Sequence, residues 1–435
     1  MAFYHLTISF TLILVNILPV LNFINRLFME RRFDLDWLRV FAFAVLIFYH
    51  IGMLYVADWG FHYKSQYQSE FLQNIMLLIN RWRLPLLFFI SGVASRYLLE
   101  KYSFIYFAKA RTWRLLLPLL FGVLVIVPPQ LYVEMTAKGD LNINYWDFYN
   151  VFFDIHNTLF ADYKSGILPH MDVNHLWYLR ELWCFSLILI LIHPMLSVAK
   201  IDKTFDLIGN YLGFSGVLIL PIVFLSVSAL SIFPESAEGI RIARGFTFFL
   251  LGYVIWQRES CWQPILKHRR CSLGLALTSY VGLLWYYHTI LSSRTEPLDA
   301  IYEGIETTLL LANRWVWVLA ILGYAYAYLN KPSSVLRYLS RAVYPSYLLH
   351  QSVLIVAAFS LSSLMLGFLL EVFWVSVITL ISCLASYEVF KRIAIFRPLL
   401  GISSQNSGAK ISLIHKIFEL MGWLLILALG YLIIF

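Results

Sequence analysis

Apolar segments of about twenty residues recur along the whole chain, and each is long enough to cross a bilayer as a helix. With 60% hydrophobic and only 13% charged residues, the chain is far more apolar than a soluble protein of 435 residues. The sequence therefore predicts an all-α, polytopic membrane helix bundle. We expect two flanking spans, at 4–28 and 413–435, and ten core spans, at 36–56, 76–98, 113–133, 176–198, 207–230, 240–257, 272–291, 307–329, 341–361 and 363–388.

The core spans define one membrane domain, predicted over 31–401, with an extra helix in 1–30 and a C-terminal helix in 402–435. The first helix is too long for a signal-peptide core and lacks a small-residue cleavage pattern, so we expect it to span the membrane. Met29 would also serve as a translation start, which makes 1–28 either an optional helix or an untranslated stretch.

Lysine and arginine are distributed unevenly between the loops on the two sides. If Arg31 and Arg32 face the cytoplasm, the cytoplasmic loops carry 21 basic residues and the outer loops nine. This bias predicts a multi-pass protein of the cell inner membrane with that orientation. Because the net charge of +8 is divided among short loops, a nucleic-acid partner is excluded. The four cysteines show neither metal-ligand spacing nor a disulfide pattern, so no metal is predicted.

The first core span reads DWLRVFAFAVLIFYH from Asp36 to His50, with ten uncharged residues between Arg39 and His50. Eleven residues turn a helix by about 1100°, so both side chains share one face, about 16 Å apart along the axis. Asp36 lies one turn before Arg39 and is placed to pair with it. The spacing suits a long ligand with an anionic head near Arg39 and a reactive end at His50. An interfacial Arg–Asp pair and a packing histidine are the alternative.

Several motifs occur in the order and topology of a known family. They are the R-x10-H spacing of Arg39 and His50, RLPLLFFISG (83–92), the R-x-x-R of Arg111 and Arg114, YPSYLLHQ (344–351) and FRPLLG (396–401). On these motifs the chain resembles the acyltransferase family 3 integral membrane proteins. PPQLYVE (128–134) and HLWYL (175–179) look closest to the branch that acylates extracytoplasmic glucans.

The resemblance implies transfer of an acyl group from cytoplasmic acyl-CoA to a hydroxyl, usually of a carbohydrate, on the outer side. Acyl-CoA would be a co-substrate, and no cofactor would be bound permanently. Arg39, Arg111 and Arg114 would hold the phosphates of CoA, because guanidinium groups bind phosphate bidentately. For Arg111 and Arg114 the alternative is positive-inside anchoring.

His350 is expected at a depth in the membrane similar to that of His50, so both could belong to one site. Histidine suits general base catalysis because its pKa is close to working pH. We therefore predict that His50 is the base for the acceptor hydroxyl. His350 is either its catalytic partner or a packing histidine.

Toward the outer side we expect further substrate-binding residues. Trp177 is either a stacking surface for a sugar or part of the aromatic belt at the interface. Glu181 follows Trp177 by four residues where the family pattern has five, so the chain departs from the family at that point. Arg314 needs a partner, for which Glu181 and Glu306 are candidates. With these, the predicted substrate-binding residues are Asp36, His175, Trp177, Glu181 and Arg314, and the segment 134–175 is either a glycan-lining loop or a lid.

Two functions are compatible with these features. A membrane O-acyltransferase explains the same-face Arg39 and His50 and the basic inner ends of the early helices. A transporter or flippase would use the intramembrane charges as a substrate path, often with repeat symmetry, and no repeat is found. The acyl group, acetyl or succinyl, stays open, as does the choice between direct transfer and an acyl-histidine intermediate.

Overall fold

The computed structural model describes residues 31–163, 166, 168–196, 199–231, 237–256, 258–293 and 299–402; the predicted flanking spans at 4–28 and 413–435 lie outside this part. We number its helices in chain order: α1 Phe33–Met53, α2 Leu72–Lys101, α3 Phe104–Phe121, α4 Pro128–Lys138, α5 Tyr145–Val151, α6 Trp177–Leu196, α7 Ala199–Ser231, α8 Ala237–Ile255, α9 Glu259–Lys267, α10 Arg269–Tyr286, α11 Ala300–Tyr328, α12 Ser334–Ser362, α13 Phe368–Phe390 and α14 Phe396–Leu399. A π-helical turn, Gly122–Ile126, joins α3 to α4. Extended pairing in these residues is limited to two isolated bridges, so the predicted all-α bundle is confirmed.

The number of membrane spans differs from the prediction. Eight helices, or helices joined end to end, in the described part are long and apolar enough to cross a bilayer, and α8 with α9, bent by 106° between them, would make a ninth. All ten predicted core spans fall on helices, but α10, which covers most of 272–291, is not among these candidates. Serine, threonine, glycine and tyrosine residues lower the mean hydropathy of this helix. A helical bundle is thus shown, whereas a count of ten is not.

Helices α2 and α8 cross with their backbones almost in contact. A Cβ atom added at Gly92 would lie 1.8 Å from the carbonyl oxygen of Phe249, and one at Gly252 would lie 1.9 Å from that of Phe89. Only glycine fits at both positions, as in many close helix crossings in membranes. This crossing fixes α8 beside the middle of α2 and so determines which side chains face each other across the two helices.

Prolines inside α2 and α3 break the helical hydrogen-bond ladder at two places. Pro85 and Pro118 lack an N–H group, so the carbonyls of Arg81 and Arg114, four residues earlier, lose their helical partner. Other helices replace the missing donors. Arg314 of α11 donates to the Asn80 carbonyl at 2.8 Å and to that of Arg81 at 3.4 Å. The Tyr344 hydroxyl of α12 donates to the Arg114 carbonyl at 2.8 Å.

The segment after α4 packs into a cap at the end of the bundle where α1 ends. Its core consists of Met135, Leu141, Phe148, Phe152, Phe160 and Met171. His170 stacks on Phe160 with ring centroids 3.8 Å apart, and its Nε2 donates to the Phe152 carbonyl at 2.6 Å. Burial lowers the pKa of His170. The described residues of 134–175 therefore form a folded cap, and the choice between a glycan-lining loop and a lid stays a prediction.

Candidate active site

His50 of α1 and His350 of α12 form a hydrogen-bonded pair inside the bundle. The Nδ1 atom of His50 lies 2.7 Å from Nε2 of His350, and the rings are stacked with centroids 5.0 Å apart. His350 is fully buried, and its Nδ1 lies 2.6 Å from the carbonyl oxygen of Tyr347. The structure thus brings together the two histidines that the sequence placed at similar depth.

These contacts fix the tautomers of both neutral rings. A carbonyl oxygen only accepts hydrogen bonds, so the Nδ1 of His350 donates to Tyr347. The Nε2 of His350 then has a lone pair and accepts from Nδ1–H of His50. The remaining nitrogen, Nε2 of His50, keeps its lone pair. The chain Tyr347, His350 and His50 therefore orients an imidazole with one basic nitrogen available for proton transfer.

His50 lines a narrow cavity of about 30 Å³, which we call the histidine cavity. Its walls also include Phe43, Leu46, Arg83, Leu84, Leu87, His175, Trp177, Tyr178 and Tyr347. Tyr347 lies one helical turn from Tyr344, whose hydroxyl donates to the Arg114 carbonyl of α3. The arrangement places a basic nitrogen in a small cavity, about 16 Å along α1 from Arg39.

Arg83 adds a cation to the histidine cavity. It is only 5% exposed, and its guanidinium stacks on the ring of Tyr49 at 3.6 Å. Its Nε and Nη1 atoms have no hydrogen-bond partner among the described residues. Sequence analysis did not select Arg83 as a site residue, although it opens the motif RLPLLFFISG. Because these N–H groups of Arg83 line the same cavity as His50, they are suited to stabilise a negative charge that develops on a substrate there.

His175 lies next to His350, with the two rings perpendicular and 5.3 Å apart. Its Nε2 donates to the Leu348 carbonyl at 3.0 Å, and its Nδ1 lies 3.3 Å from Nε2 of Gln130. Both ring nitrogens of His175 therefore contact protein groups, and its ring forms part of the cavity wall. Trp177 also lines the cavity, and Arg241 of α8 covers its ring at 4.2 Å.

A chain of polar side chains connects this site with the cap. Gln351 donates to Gln130 at 3.0 Å and to Asn174 at 3.1 Å. Asn174 also contacts Nε2 of His62 at 2.9 Å, and Nδ1 of His62 lies 2.5 Å from a carboxylate oxygen of Glu134. Sequence analysis missed these residues because single amides on different helices leave no periodic signal. Only the packing of α4, α12 and the loops aligns them.

Three basic residues gather at the opposite end of α1. Arg39 pairs with Asp36 at 3.3 Å, as the spacing predicts, and Asp36 also accepts from Arg31 at 2.7 Å. Arg111 donates to the Ser95 hydroxyl at 2.6 Å, and Arg114 is close enough to interact electrostatically with both Arg39 and Arg111. The Nε atoms of Arg39 and Arg111 have no partner among the described residues. The three arginines selected from the sequence therefore form one cluster.

Three of the predicted substrate-binding residues do not line the histidine cavity. Glu181 of α6 contacts Arg241 at 2.5 Å, so the proposed pairing of Glu181 with Arg314 was wrong. Arg314 instead donates to the carbonyls exposed by the proline break in α2, and Glu306 accepts from Tyr286 at 3.2 Å. Asp36 stands with the arginine cluster, about 21 Å along α1 from His50.

Comparison with known proteins agrees with this architecture. The profile of acyltransferase family 3, described as an acyltransferase domain, matches residues 32–388. The chain belongs to acyltransferase family 3. It is 25% identical over 390 residues to proteins named glucans biosynthesis protein C from Salmonella typhi, Salmonella typhimurium and Salmonella heidelberg, covering 85% of this chain and 94% of each relative. No solved structure matches the chain. The resemblance seen in its motifs is confirmed, and its apolar helices fit a multi-pass membrane protein of this family.

Proposed function

We propose that this protein is a membrane O-acyltransferase that moves an acyl group from cytoplasmic acyl-CoA to a hydroxyl of an extracytoplasmic carbohydrate. The observation that carries the proposal is the His50–His350 pair, whose hydrogen bonds leave one basic nitrogen in a closed cavity. A transport path does not require a base held in one tautomer, whereas proton removal from a hydroxyl does.

The donor would enter at the end of the bundle where Arg39, Arg111 and Arg114 meet. Phosphates of CoA carry negative charge, and the Nε atoms of Arg39 and Arg111, which have no partner among the described residues, would donate to them. The pantetheine arm would then extend toward His50, because Arg39 and His50 share a face about 16 Å apart along the axis. This assignment makes that end cytoplasmic, in agreement with the distribution of basic loops.

The transfer step would use three groups of the histidine cavity. Nε2 of His50 takes the proton from the acceptor hydroxyl as its oxygen attacks the thioester carbonyl carbon. The carbonyl oxygen gains negative charge, which the guanidinium of Arg83 stabilises. When the tetrahedral intermediate collapses, the C–S bond breaks, the ester remains on the acceptor, and the CoA thiolate takes the proton back from His50. His350 holds the imidazole of His50 in the required tautomer.

A carbohydrate acceptor is supported by the names of the relatives and by the outer wall of the cavity. The relatives are glucans biosynthesis proteins, and Trp177 presents an aromatic ring in the histidine cavity on which a sugar could stack. Because Arg241 covers this ring, the remaining face would be the one that meets the acceptor. We place the protein in the cell inner membrane, with the acceptor on the outer side.

The proposal is tested with sealed inside-out membrane vesicles that contain the wild-type protein. Acyl-CoA with a radiolabelled acyl group is added outside, where the cytoplasmic face is exposed, and a glucan is enclosed in the lumen. We expect label in the enclosed glucan. Label that appears only when donor and acceptor share one side would contradict transfer across the membrane. Lumenal glucan that crosses the membrane unmodified would indicate a transporter.

A further inference from the structure

Three arginines on different helices face one another in the membrane part of the bundle. They are Arg81 of α2, Arg244 of α8 and Arg314 of α11. Arg314 donates to the backbone carbonyl of Arg81 at 3.4 Å, and Arg244 interacts electrostatically with both. The close crossing of α2 and α8 at Gly92 and Gly252 fixes the first two helices against each other. Of the three, only Arg314 was predicted as a substrate-binding residue. Their grouping was not predicted, because they are separated by more than 60 residues along the chain.

These cations lack matching acidic side chains. Among the described residues, Arg81 and Arg244 form neither a hydrogen bond nor an ion pair with a carboxylate, and the Nε of Arg81 has no partner. Glu181, the carboxylate nearest to Arg244, already contacts Arg241. Glu306 lines a cavity with Arg81, but its carboxylate accepts from Tyr286. The group therefore holds excess positive charge.

An excess of positive charge is costly when it is partly buried in a membrane protein, as these three side chains are. Several kcal/mol are needed to remove each ion from water, and like charges add repulsion. Such groups persist where a function requires them, commonly along the path of an anionic substrate. The planar fork of arginine matches the geometry of carboxylate and phosphate, which makes an oxyanion the fitting counter-charge.

The arginine group is linked to the histidine cavity through Tyr49. This side chain directly precedes His50 and stacks on Arg83, and it also interacts electrostatically with Arg314. A ligand group held by the arginines would thus lie on the Tyr49 side of Arg83, which itself lines the histidine cavity. This neighbourhood suits one part of a substrate whose other part occupies the histidine cavity.

We propose that Arg81, Arg244 and Arg314 form a binding site for an ionised oxyanion, a carboxylate or phosphate, carried by one of the two substrates. The proposal rests on the acyltransferase function proposed above and extends it to substrate charge. The oxyanion has two sources: the free carboxylate at the end of a dicarboxylic acyl chain, or an acidic group on the acceptor carbohydrate. Arg241, paired with Glu181, borders the site on the Trp177 side.

Replacing Arg244 tests anion binding without removing a contact that supports the fold. Arg314 supports the proline break in α2, so its loss would also disturb the helix. Arg244 has no such backbone contact among the described residues. Replacing Arg244 with glutamine removes one of several like charges, so thermal stability should stay the same or rise. A purely structural arginine would lower it.

The first experiment measures anion binding directly. Purified full-length protein in nanodiscs is titrated calorimetrically with succinate and with inorganic phosphate. We expect Arg244→Gln to bind the preferred anion roughly 10 to 100 times more weakly, because one charge-assisted hydrogen bond to the anion is lost. Arg180→Gln, an equal change of charge at the partly exposed rim, should bind as the wild type does. Absence of binding by the wild type, or equal binding by Arg244→Gln, would overturn the proposal.

The second experiment identifies the source of the anion. Wild type and Arg244→Gln are compared with acetyl-CoA and succinyl-CoA on a neutral glucan, and with acetyl-CoA on a phosphorylated glucan. A KM increase confined to succinyl-CoA assigns the site to the acyl chain, and one confined to the phosphorylated glucan assigns it to the acceptor. Equal losses with all pairs would contradict the anion site. If the wild type transfers no acyl group to any acceptor while the anion titration succeeds, the proposed function fails and the anion site stands.

Discussion

The imidazole rings of His50 and His350 share a hydrogen bond of 2.7 Å although 300 residues separate them in the chain. The carbonyl of Tyr347 sets the direction of that bond, because it accepts from the other nitrogen of His350. The fold thus engages Nδ1 of His50 in a hydrogen bond, and Nε2 of the same ring keeps a lone pair for proton transfer. This polarity determines which nitrogen of His50 can accept a proton.

His350 should act by positioning His50. His350→Ala removes the acceptor for Nδ1–H of His50, and we expect kcat to fall by roughly 10- to 100-fold with little change in KM for acyl-CoA. His350→Gln should recover part of the rate, since the glutamine carbonyl can accept the same hydrogen bond. Steady-state kinetics of both variants test this. A change in KM alone, or equal rates for both variants, would contradict a positioning role.

Arg114 should contribute to acyl-CoA binding. Arg114→Ala should weaken the affinity for CoA measured by calorimetry, by about 10-fold or more, because a charge-assisted contact to phosphate is lost. Arg114→Lys should recover only part, since lysine lacks the planar fork. Lys109→Ala, an exposed basic residue on the same helix, is the control and should bind CoA normally. Wild-type affinity in Arg114→Ala would remove this residue from the donor site.

The Tyr344 hydroxyl should stabilise the fold only because Pro118 breaks α3. Tyr344→Phe leaves the Arg114 carbonyl without a donor and should lower the free energy of unfolding by about 1–3 kcal/mol. In a Pro118→Ala background the helical N–H is restored, so the same change at Tyr344 should cost much less. A double-mutant cycle in denaturant measures the difference. Equal losses in both backgrounds would show that the hydroxyl acts elsewhere.

The crossing of α2 and α8 should tolerate no side chain. Gly92→Ala places a methyl group 1.8 Å from the Phe249 carbonyl, so the helices must separate. We expect a lower melting temperature and less monodisperse protein. Gly282→Ala is the matched control, because its added methyl meets no atom within 4 Å and alanine favours helix. Similar melting temperatures for the two variants would contradict the contact.

Local patterns in the sequence predict much of this fold. Apolar segment length predicts the helices, and the spacing of one helical turn predicts the Asp36–Arg39 pair. The R-x10-H spacing predicts a common face for Arg39 and His50. The R-x-x-R motif predicts that Arg111 and Arg114 lie together. These features depend on residues of the same helix, whose spacing a sequence displays directly.

Contacts between residues far apart in the chain could not be predicted from the sequence. The pairing of Glu181 with Arg241 in place of Arg314 depends on which helix lies beside α6, and on the carbonyls that Pro85 exposes to Arg314. Arg83 was not predicted as a site residue because no charged or polar residue nearby in the sequence indicated a partner for it. The amide chain through Gln130 and Gln351 likewise arises from packing, since each residue is isolated in its own segment.

The central claim is that Nε2 of His50 accepts the proton of the acceptor hydroxyl. The most direct test is the rate of acyl transfer by His50→Gln at matched expression, with CoA binding measured on the same preparation. Glutamine keeps a hydrogen-bonding group of similar reach but is not a base. We predict a rate lower by roughly 10² to 10⁴, with normal CoA affinity because the donor phosphates would bind about 16 Å away. Near-normal acyl transfer by His50→Gln would contradict the account.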